Sequence, residues 1–180
     1  MYIVLSSSRW VQQAFYPYAV FFQTVPIIAI APMLVYWFGF GLKSVAVSAF
    51  IASVFPVIAN TLAGLLSTDP ALEDLFTLYG AGSIARLWKL RLPSALPSIL
   101  TGLRIAAGLA VIGTVVGEFL VGVLGSREGL GVKVVSGIKY GKIDKVFAAV
   151  LLASLLGLAL FAAVNLASAV MLRRWHASER

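Results

Sequence analysis

The sequence predicts an all-α protein, a polytopic bundle of helices that cross a lipid bilayer, on the basis of its composition and its uncharged runs. Of the 180 residues, 61% are hydrophobic and 12% are charged, whereas a soluble domain averages about 45–50% and about 25%. Three runs without charge each exceed the roughly 20 residues that a helix needs to cross the bilayer core. These runs are residues 10–42, 44–68 and 146–172. None of them alternates apolar and polar residues, which disfavours a barrel of strands.

About four spans follow from these runs and from the charges that bound them. We predict them at residues 18–38, 44–66, 99–123 and 146–171. They form a single transmembrane domain over residues 1–180, with a loop over residues 125–145 before the last span. Residues 1–5 are too short to cross a bilayer. We interpret them as an N-terminal stub, either interfacial or, as we favour, the remnant of helices that preceded it.

Two simple observations exclude or disfavour other classes of protein. The chain has no Cys, which excludes disulfides, thiolate metal sites and Cys nucleophiles. The net charge is +7, but the basic residues are scattered among the spans, where lipid headgroups and topology account for them. Binding to nucleic acid is therefore disfavoured.

The 67–97 segment, STDPALEDLFTLYGAGSIARLWKLRLPSALP, is the polar exception in this apolar chain. Asp69 is a good N-cap and Pro70 suits the first helical position, so a first helix begins here. Gly80 ends it, because glycine readily takes a positive φ. A second helix is predicted from Ser83, and Pro93 is predicted to end it, since a residue before proline is pushed out of the helical region.

The residues of this helical pair leave its binding partner open. An apolar stripe with helical spacing runs along the first helix. It consists of Leu72, Leu75, Phe76 and Tyr79. One interpretation is an amphipathic hairpin that lies on lipid headgroups. The second interpretation is a docking site for a protein. Glu73 and Asp74 favour it, because anionic headgroups would repel their carboxylates. A DNA-reading helix–turn–helix is disfavoured, because both ends are tethered to spans.

The spacing of this segment resembles the cytoplasmic loop of permease subunits of binding-protein-dependent ABC importers. The family's pattern is Glu-Ala-Ala, three residues, Gly, nine residues, Ile, one residue, Leu-Pro. The residues that match it here are Asp74, Leu75, Phe76, Gly80, Leu90, Leu92 and Pro93. Two larger side chains, Leu75 and Phe76, replace the alanines. Further stretches resemble the branch that imports nitrate, sulfonates, taurine, bicarbonate, or thiamine- and riboflavin-type compounds. They are residues 25–41, 55–65, 92–119 and 129–135.

The resemblance implies a function and a set of partners. The 67–97 segment would be a cytoplasmic coupling helix pair, seated on a separate ABC ATPase subunit, and residues 125–145 would form a periplasmic loop. The permease would work as a homodimer among the lipids of the bacterial inner membrane. It would receive a small substrate from a periplasmic or lipid-anchored binding protein. ATP and Mg²⁺ would be held by the ATPase, because this chain has no G-x-x-x-x-G-K-[ST] phosphate loop. We therefore expect no cofactor, no catalytic residue and no metal site on it.

Three polar residues inside the spans are candidates for the gate or the pore. Arg104 and Glu118 are charged, and a charge near the bilayer centre costs about 2.5–3.5 kcal/mol on insertion scales. Arg104 has a second interpretation, snorkelling to the headgroups. Glu118 has three interpretations. It could be part of the structure of the outer gate, where it could bind an Arg or Lys of residues 125–145. It could instead lie at the membrane interface, or it could contact the substrate. Asn60 either packs between helices or faces the pore, and we favour packing.

Two other classes of function stay as alternatives. A secondary transporter driven by an ion gradient would need acidic residues near the midplane and, usually, internal repeats. Only Glu118 is available, and no repeat is visible. A membrane enzyme would need clustered Asp, Glu, His or Ser, whereas the seven acidic residues and one His are spread along the chain.

Overall fold

The structure, a computed structural model, describes residues 26–123 and 129–173, and this part of the chain consists of helices joined by short turns. The helices are α1 (Ile27–Phe38), α2 (Leu42–Leu66), α3 (Pro70–Leu78), α4 (Ser83–Arg86), a π-helical turn (Leu87–Arg91), α5 (Leu92–Val123), α6 (Leu130–Lys139) and α7 (Ile143–Arg173). Within the two described ranges there is no strand. The predicted all-α, polytopic bundle is thus confirmed.

Three helices are long and apolar enough to cross a membrane. They are α2, the continuous helix Ser83–Val123, and the helix at Ile143–Leu172, and they confirm the second, third and fourth predicted spans. Helix α1 covers the second part of the first predicted span. The first part of that span, residues 18–25, and the predicted stub, residues 1–5, lie outside the described residues.

The bundle is built on α2 and α5, which lie antiparallel and share the most extensive contact in the described part of the chain. Glycines allow the close approach. An ideal Cβ on Gly102 would lie 2.8 Å from the Pro56 carbonyl oxygen, and one on Gly113 would lie 2.8 Å from the Ala49 Cα. Small residues matter here because lipid tails are as apolar as leucine, so van der Waals packing must hold the helices together.

The α2–α5 contact keeps one register along its whole length. Gly64 faces Ser98 at one end, and Val45 faces Gly117 at the other. The paired positions cover about 28 Å of each helix at 1.5 Å per residue, close to the bilayer core of about 30 Å. Near the Val45–Gly117 end, the buried Ser48 hydroxyl donates to the Gly113 carbonyl at 2.9 Å. The two helices therefore form a bilayer-deep pair.

The opposite face of α5 packs on α6 and α7, and here the predicted loop needs a correction. Residues 125–145 contain α6, a helix of 10 residues, where a loop was predicted. Its glycines are contact points: Gly131 and Gly137 are buried, and an ideal Cβ on Gly137 would lie 2.6 Å from the Val146 side chain. Glycines that pack against a neighbouring helix cannot be distinguished from loop glycines by sequence spacing.

The prediction that Pro93 ends the second helix of the 67–97 segment is wrong. The chain stays helical through Leu92, with φ −63° and ψ −46°, and continues into α5. The Leu92 N–H donates to the Leu87 carbonyl, five residues back. In an α-helix proline clashes with the carbonyl four residues earlier. The wider π-helical turn before Pro93 relieves that clash, so helix and proline coexist.

Candidate functional site

The 67–97 segment begins with the N-cap that the sequence predicts. The Asp69 carboxylate accepts from the Ala71 N–H at 2.8 Å, and Pro70 is the first helical residue. An N-cap of this kind contributes about 1 kcal/mol, because it satisfies one of the free N–H groups at a helix start. Helix α3 therefore starts at a fixed point directly after the second span.

The far end of α3 is fixed by Gly80, as predicted. Gly80 has φ +66°, and its N–H donates to the Thr77 carbonyl at 3.0 Å. The Ala81 N–H donates to the Phe76 carbonyl at 2.9 Å. These two bonds form a Schellman motif, in which a residue with positive φ turns the chain out of the helix. The turn between α3 and α4 thus has one defined geometry.

A charged contact that was not predicted from the sequence joins the two helices. Glu73 forms an ion pair and hydrogen bond with Arg91, and its second oxygen lies 4.0 Å from Arg86. Arg86 also donates to the Thr77 hydroxyl at 3.2 Å. From the sequence, Glu73 indicated a protein partner in preference to lipid headgroups, and no contact with Arg86 or Arg91 was predicted. Its neighbours in the fold are 13 and 18 positions along the chain, which no helical spacing connects.

The outer surface of this hairpin is apolar and exposed. Along the predicted stripe, Leu75 is 44% exposed and Tyr79 is 83% exposed, while Phe76 is half-buried. On the second helix Trp88 is 68% exposed, and Asp74 is exposed beside the stripe. An apolar surface rimmed by charge is typical of an interaction site.

The remaining residues of the motif lie at the base of the hairpin. Leu90 is 5% exposed, and Leu92 and Pro93 are half-buried. The π-helical turn that holds Leu90 contacts α2. The structure therefore divides the seven motif residues between an exposed tip and a packed base that continues into the third span.

Glu118 lies near the other end of α5, where its carboxylate accepts from the Gly131 N–H at 2.8 Å. Gly129, the N-cap residue of α6, has φ +107°, and an ideal Cβ there would lie 2.6 Å from a Glu118 carboxylate oxygen. A carboxylate at a helix N-terminus is stabilising, by up to about 2 kcal/mol when partly buried. Glu118 thus binds a residue of the 125–145 region through a backbone N–H, where an Arg or Lys was suggested.

Arg104 and Asn60 lie apart from that contact. The Asn60 amide donates to the Pro56 carbonyl at 2.8 Å, and Asn60 lies at the α2–α5 contact beside Gly102. Arg104 is half-buried, and its Nε is buried with no hydrogen-bond partner among residues 26–123 and 129–173. Arg104 and Glu118 are about 21 Å apart along α5 at 1.5 Å per residue. The three candidates therefore do not form one site.

An apolar groove of about 350 Å³ lies between α5, α6 and α7. Val111, Val115 and Val134 line it, and its polar lining residue Ser154 donates to the Val150 carbonyl at 2.9 Å. The rest of this lining is apolar, which does not suit the binding of a polar substrate. Nor does the described part of the chain contain a group of three or more His, Cys, Asp or Glu that could hold a metal ion.

Comparison with known proteins supplies the family. Residues 1–175 match the family of the binding-protein-dependent transport system inner membrane component. The formylaminopyrimidine transport permease protein ThiX of Halalkalibacterium halodurans is 43% identical over 155 residues, which cover 86% of this chain and 60% of ThiX. A probable ABC transporter permease protein of Haemophilus influenzae is 39% identical over 163 residues, 91% of this chain and 65% of that protein.

A third relative comes from the sulfonate branch. The putative aliphatic sulfonates transport permease protein SsuC of Bacillus subtilis is 32% identical over 135 residues, 75% of this chain and 48% of SsuC. The matches therefore span about half to two thirds of the relatives' own length, between 48% and 65%. Residues 1–175 match the family model, and three helices are able to span a membrane. The chain therefore belongs to the family of binding-protein-dependent transport system inner membrane components, which are the multi-pass permease subunits of ABC transporters.

Proposed function

We propose that this chain is a membrane-spanning subunit of an ATP-driven importer and that its 67–97 segment docks on a separate ATPase subunit. The observation that carries this proposal is the exposed apolar surface on a hairpin that is capped at both ends of α3. Leu75, Tyr79 and Trp88 expose large apolar areas outside the spans. Such surface is costly in water, so it favours a protein partner.

The hairpin is also connected to the transport path by a rigid element. Its second half is the start of the continuous helix Ser83–Val123, of 41 residues, about 60 Å long at 1.5 Å per residue. A displacement of the hairpin is therefore transmitted along the third span. This is the mechanical requirement for coupling ATP-driven motion to a gate across the membrane.

The orientation and the partners belong to the same proposal. ATP is available in the cytoplasm, so the 67–97 segment faces the cytoplasm and residues 125–145 face the periplasm. ATP and Mg²⁺ bind to the ATPase, and this chain holds no cofactor. Two copies of the permease enclose the translocation path, and a periplasmic or lipid-anchored binding protein delivers the substrate. Membership of the binding-protein-dependent family supports these assignments.

The substrate class is inferred from relatives. One is named for transport of a formylaminopyrimidine and another for transport of aliphatic sulfonates. We infer a small polar nutrient of the nitrate, sulfonate, taurine or thiamine-precursor type.

The decisive experiment compares two glycines of the same turn. Gly80→Asp places a side chain at φ +66°, a region that residues other than glycine adopt uncommonly and that Asp tolerates better than most, and it adds charge beside the apolar stripe. Gly82→Asp is the matched control, because Gly82 has an ordinary φ of −66° and open space around it. We expect Gly80→Asp to insert normally but to lose co-purification with the ATPase and substrate uptake, whereas Gly82→Asp retains both.

The same assay separates the alternatives. Normal uptake by the Gly80→Asp variant would refute ATPase docking through this segment. Uptake that persists without the ATPase and collapses with an ionophore would instead indicate the secondary transporter.

A further inference from the structure

We infer that Glu118 is a positioning residue that fastens α6 to α5, so that both move as one body when the transporter changes state. The inference rests on the proposed function, because it concerns how motion started at the 67–97 segment reaches the other face of the membrane. It assigns to α6 the role of the moving part on that face.

The first step is the path of the helix. Glu118 lies on the same unbroken helix, Ser83–Val123, that begins in the hairpin. The hairpin and Glu118 are therefore joined by one continuous helix, which includes the π-helical turn at Leu87–Arg91.

The second step is the closeness of α5 and α6 at this point. An ideal Cβ on Gly131 would lie 2.4 Å from the Val115 carbonyl oxygen and 2.8 Å from the Phe119 nitrogen. One on Gly122 would lie 3.0 Å from the Val132 Cα. The two backbones therefore approach each other closely over this stretch, which opposes sliding of one helix along the other.

The third step is the direction in which Glu118 acts. Its carboxylate accepts the Gly131 N–H at 2.8 Å, and it occupies the space that a Cβ on Gly129 would need. The carboxylate fixes the start of α6, and the Gly122–Val132 contact fixes its first turn. Two separated points of attachment determine the orientation of α6 as well as its position.

The fourth step is the connection beyond α6. Gly137 packs on Val146 at the start of α7, and the Lys142 N–H donates to the Gly137 carbonyl at 2.8 Å. Helix α6 therefore joins the third and fourth spans at the face opposite the hairpin. If Glu118 holds α6 to α5, movement of α5 also moves the start of α7.

The test uses the whole transporter with its ATPase and binding protein. Glu118→Ala should lower the maximal uptake rate about tenfold and leave the half-saturating concentration of binding protein unchanged. Glu118→Gln keeps an oxygen that accepts the Gly131 N–H, so it should retain most of the rate. A general loss of folding would affect both variants and would reduce the amount of assembled complex.

A covalent rescue makes the test specific. The protein has no native Cys, and an ideal Cβ on Gly122 would lie 3.3 Å from the Val132 Cβ, near the separation that a disulfide needs. In a Glu118→Ala background, the pair Gly122→Cys and Val132→Cys should restore uptake under oxidising conditions and lose it again on reduction. If the oxidised pair blocks uptake with Glu118 intact, α5 and α6 must separate during transport, and the inference is wrong.

A readout without transport separates this inference from the proposed function. In the permease alone, the disulfide made by the pair Gly122→Cys and Val132→Cys should form more slowly when Glu118→Ala is added, because α6 is no longer held in place. An unchanged rate of cross-linking would overturn the role of Glu118, whatever the ATPase does. Failure of the wild-type chain to bind an ATPase would overturn the proposed function and leave this measurement valid.

Discussion

At the residue scale, glycine has two different roles in this protein. Gly80 and Gly129 take positive φ values of +66° and +107° and turn the chain at the ends of helices. Gly102 and Gly113 instead allow α5 to approach the backbone of α2. The first role makes a substitution strained in the backbone, and the second makes it overpacked in the helix contact. The two kinds of variant should therefore fail in different measurements.

A pair of substitutions on one helix tests the packing role. Gly113→Ala should lower the free energy of unfolding by about 1–3 kcal/mol, because its Cβ would meet the Ala49 Cα at 2.8 Å. Gly108→Ala is the control, since nothing lies within 4 Å of its Cβ position. Thermal unfolding in detergent should show the loss for Gly113→Ala. Equal midpoints for the two variants would contradict the α2–α5 packing described above.

Some single-residue roles were predictable and others were not, for a physical reason. Asp69 and Gly80 act on their own helix ends, so local sequence is sufficient to identify them. Glu73 and Glu118 act on residues 18 and 13 positions away, in directions set by the packing of helices. The charge of Glu118 within a span predicted a structural or functional role, but its acceptance of the Gly131 N–H required the fold.

At the element scale, the 67–97 segment is a hairpin whose two helices are held together by charge. Hydrophobic spacing predicted both helices and the exposed stripe. It did not predict that the second helix continues past Pro93, because proline normally ends a helix. The π-helical turn at Leu87–Arg91 overrides that rule. Likewise, α6 lies within residues 125–145, which were predicted as a loop.

The charge contact in the hairpin can be tested by exchange. Glu73→Arg and Arg91→Glu should each weaken binding to the ATPase, because each places like charges at a contact that is now an ion pair. The double variant restores opposite charges between positions 73 and 91 and should recover part of the affinity, because an arginine at position 73 would still face Arg86. Ion pairs at the surface contribute only about 0–1 kcal/mol, and this one is partly buried, so repulsion in the single variants should dominate. Affinity measured by co-purification or light scattering checks this, and a double variant weaker than both single variants would contradict it.

At the scale of the whole molecule, the described helices place the hairpin and α6 at opposite ends of a bilayer-deep α2–α5 pair. Composition alone predicted the membrane environment. The proposed orientation, hairpin in the cytoplasm and α6 in the periplasm, depends on the family to which the chain belongs. Positions of Lys and Arg do not settle it from sequence, because basic residues occur at both ends of the bundle.

Single-cysteine labelling tests this orientation directly. The chain has no native Cys, so Lys89→Cys and Lys139→Cys, both at exposed positions, each give one reactive thiol. In spheroplasts, a membrane-impermeant maleimide should label Lys139→Cys at once and Lys89→Cys only after permeabilisation. The reverse pattern would invert the proposed topology and, with it, the assignment of the ATPase-binding end.

The π-helical turn has one more consequence, which concerns angular phase. One extra residue in a helix rotates everything beyond it by about 100° about the axis. The turn at Leu87–Arg91 therefore sets which way the exposed face of Trp88 points relative to the glycine face of α5. Deleting one residue there would leave both faces chemically intact but aim them in different directions. The turn thus determines the angle about the helix axis between the exposed face of Trp88, which would contact a partner, and the glycine face of α5, which packs in the membrane.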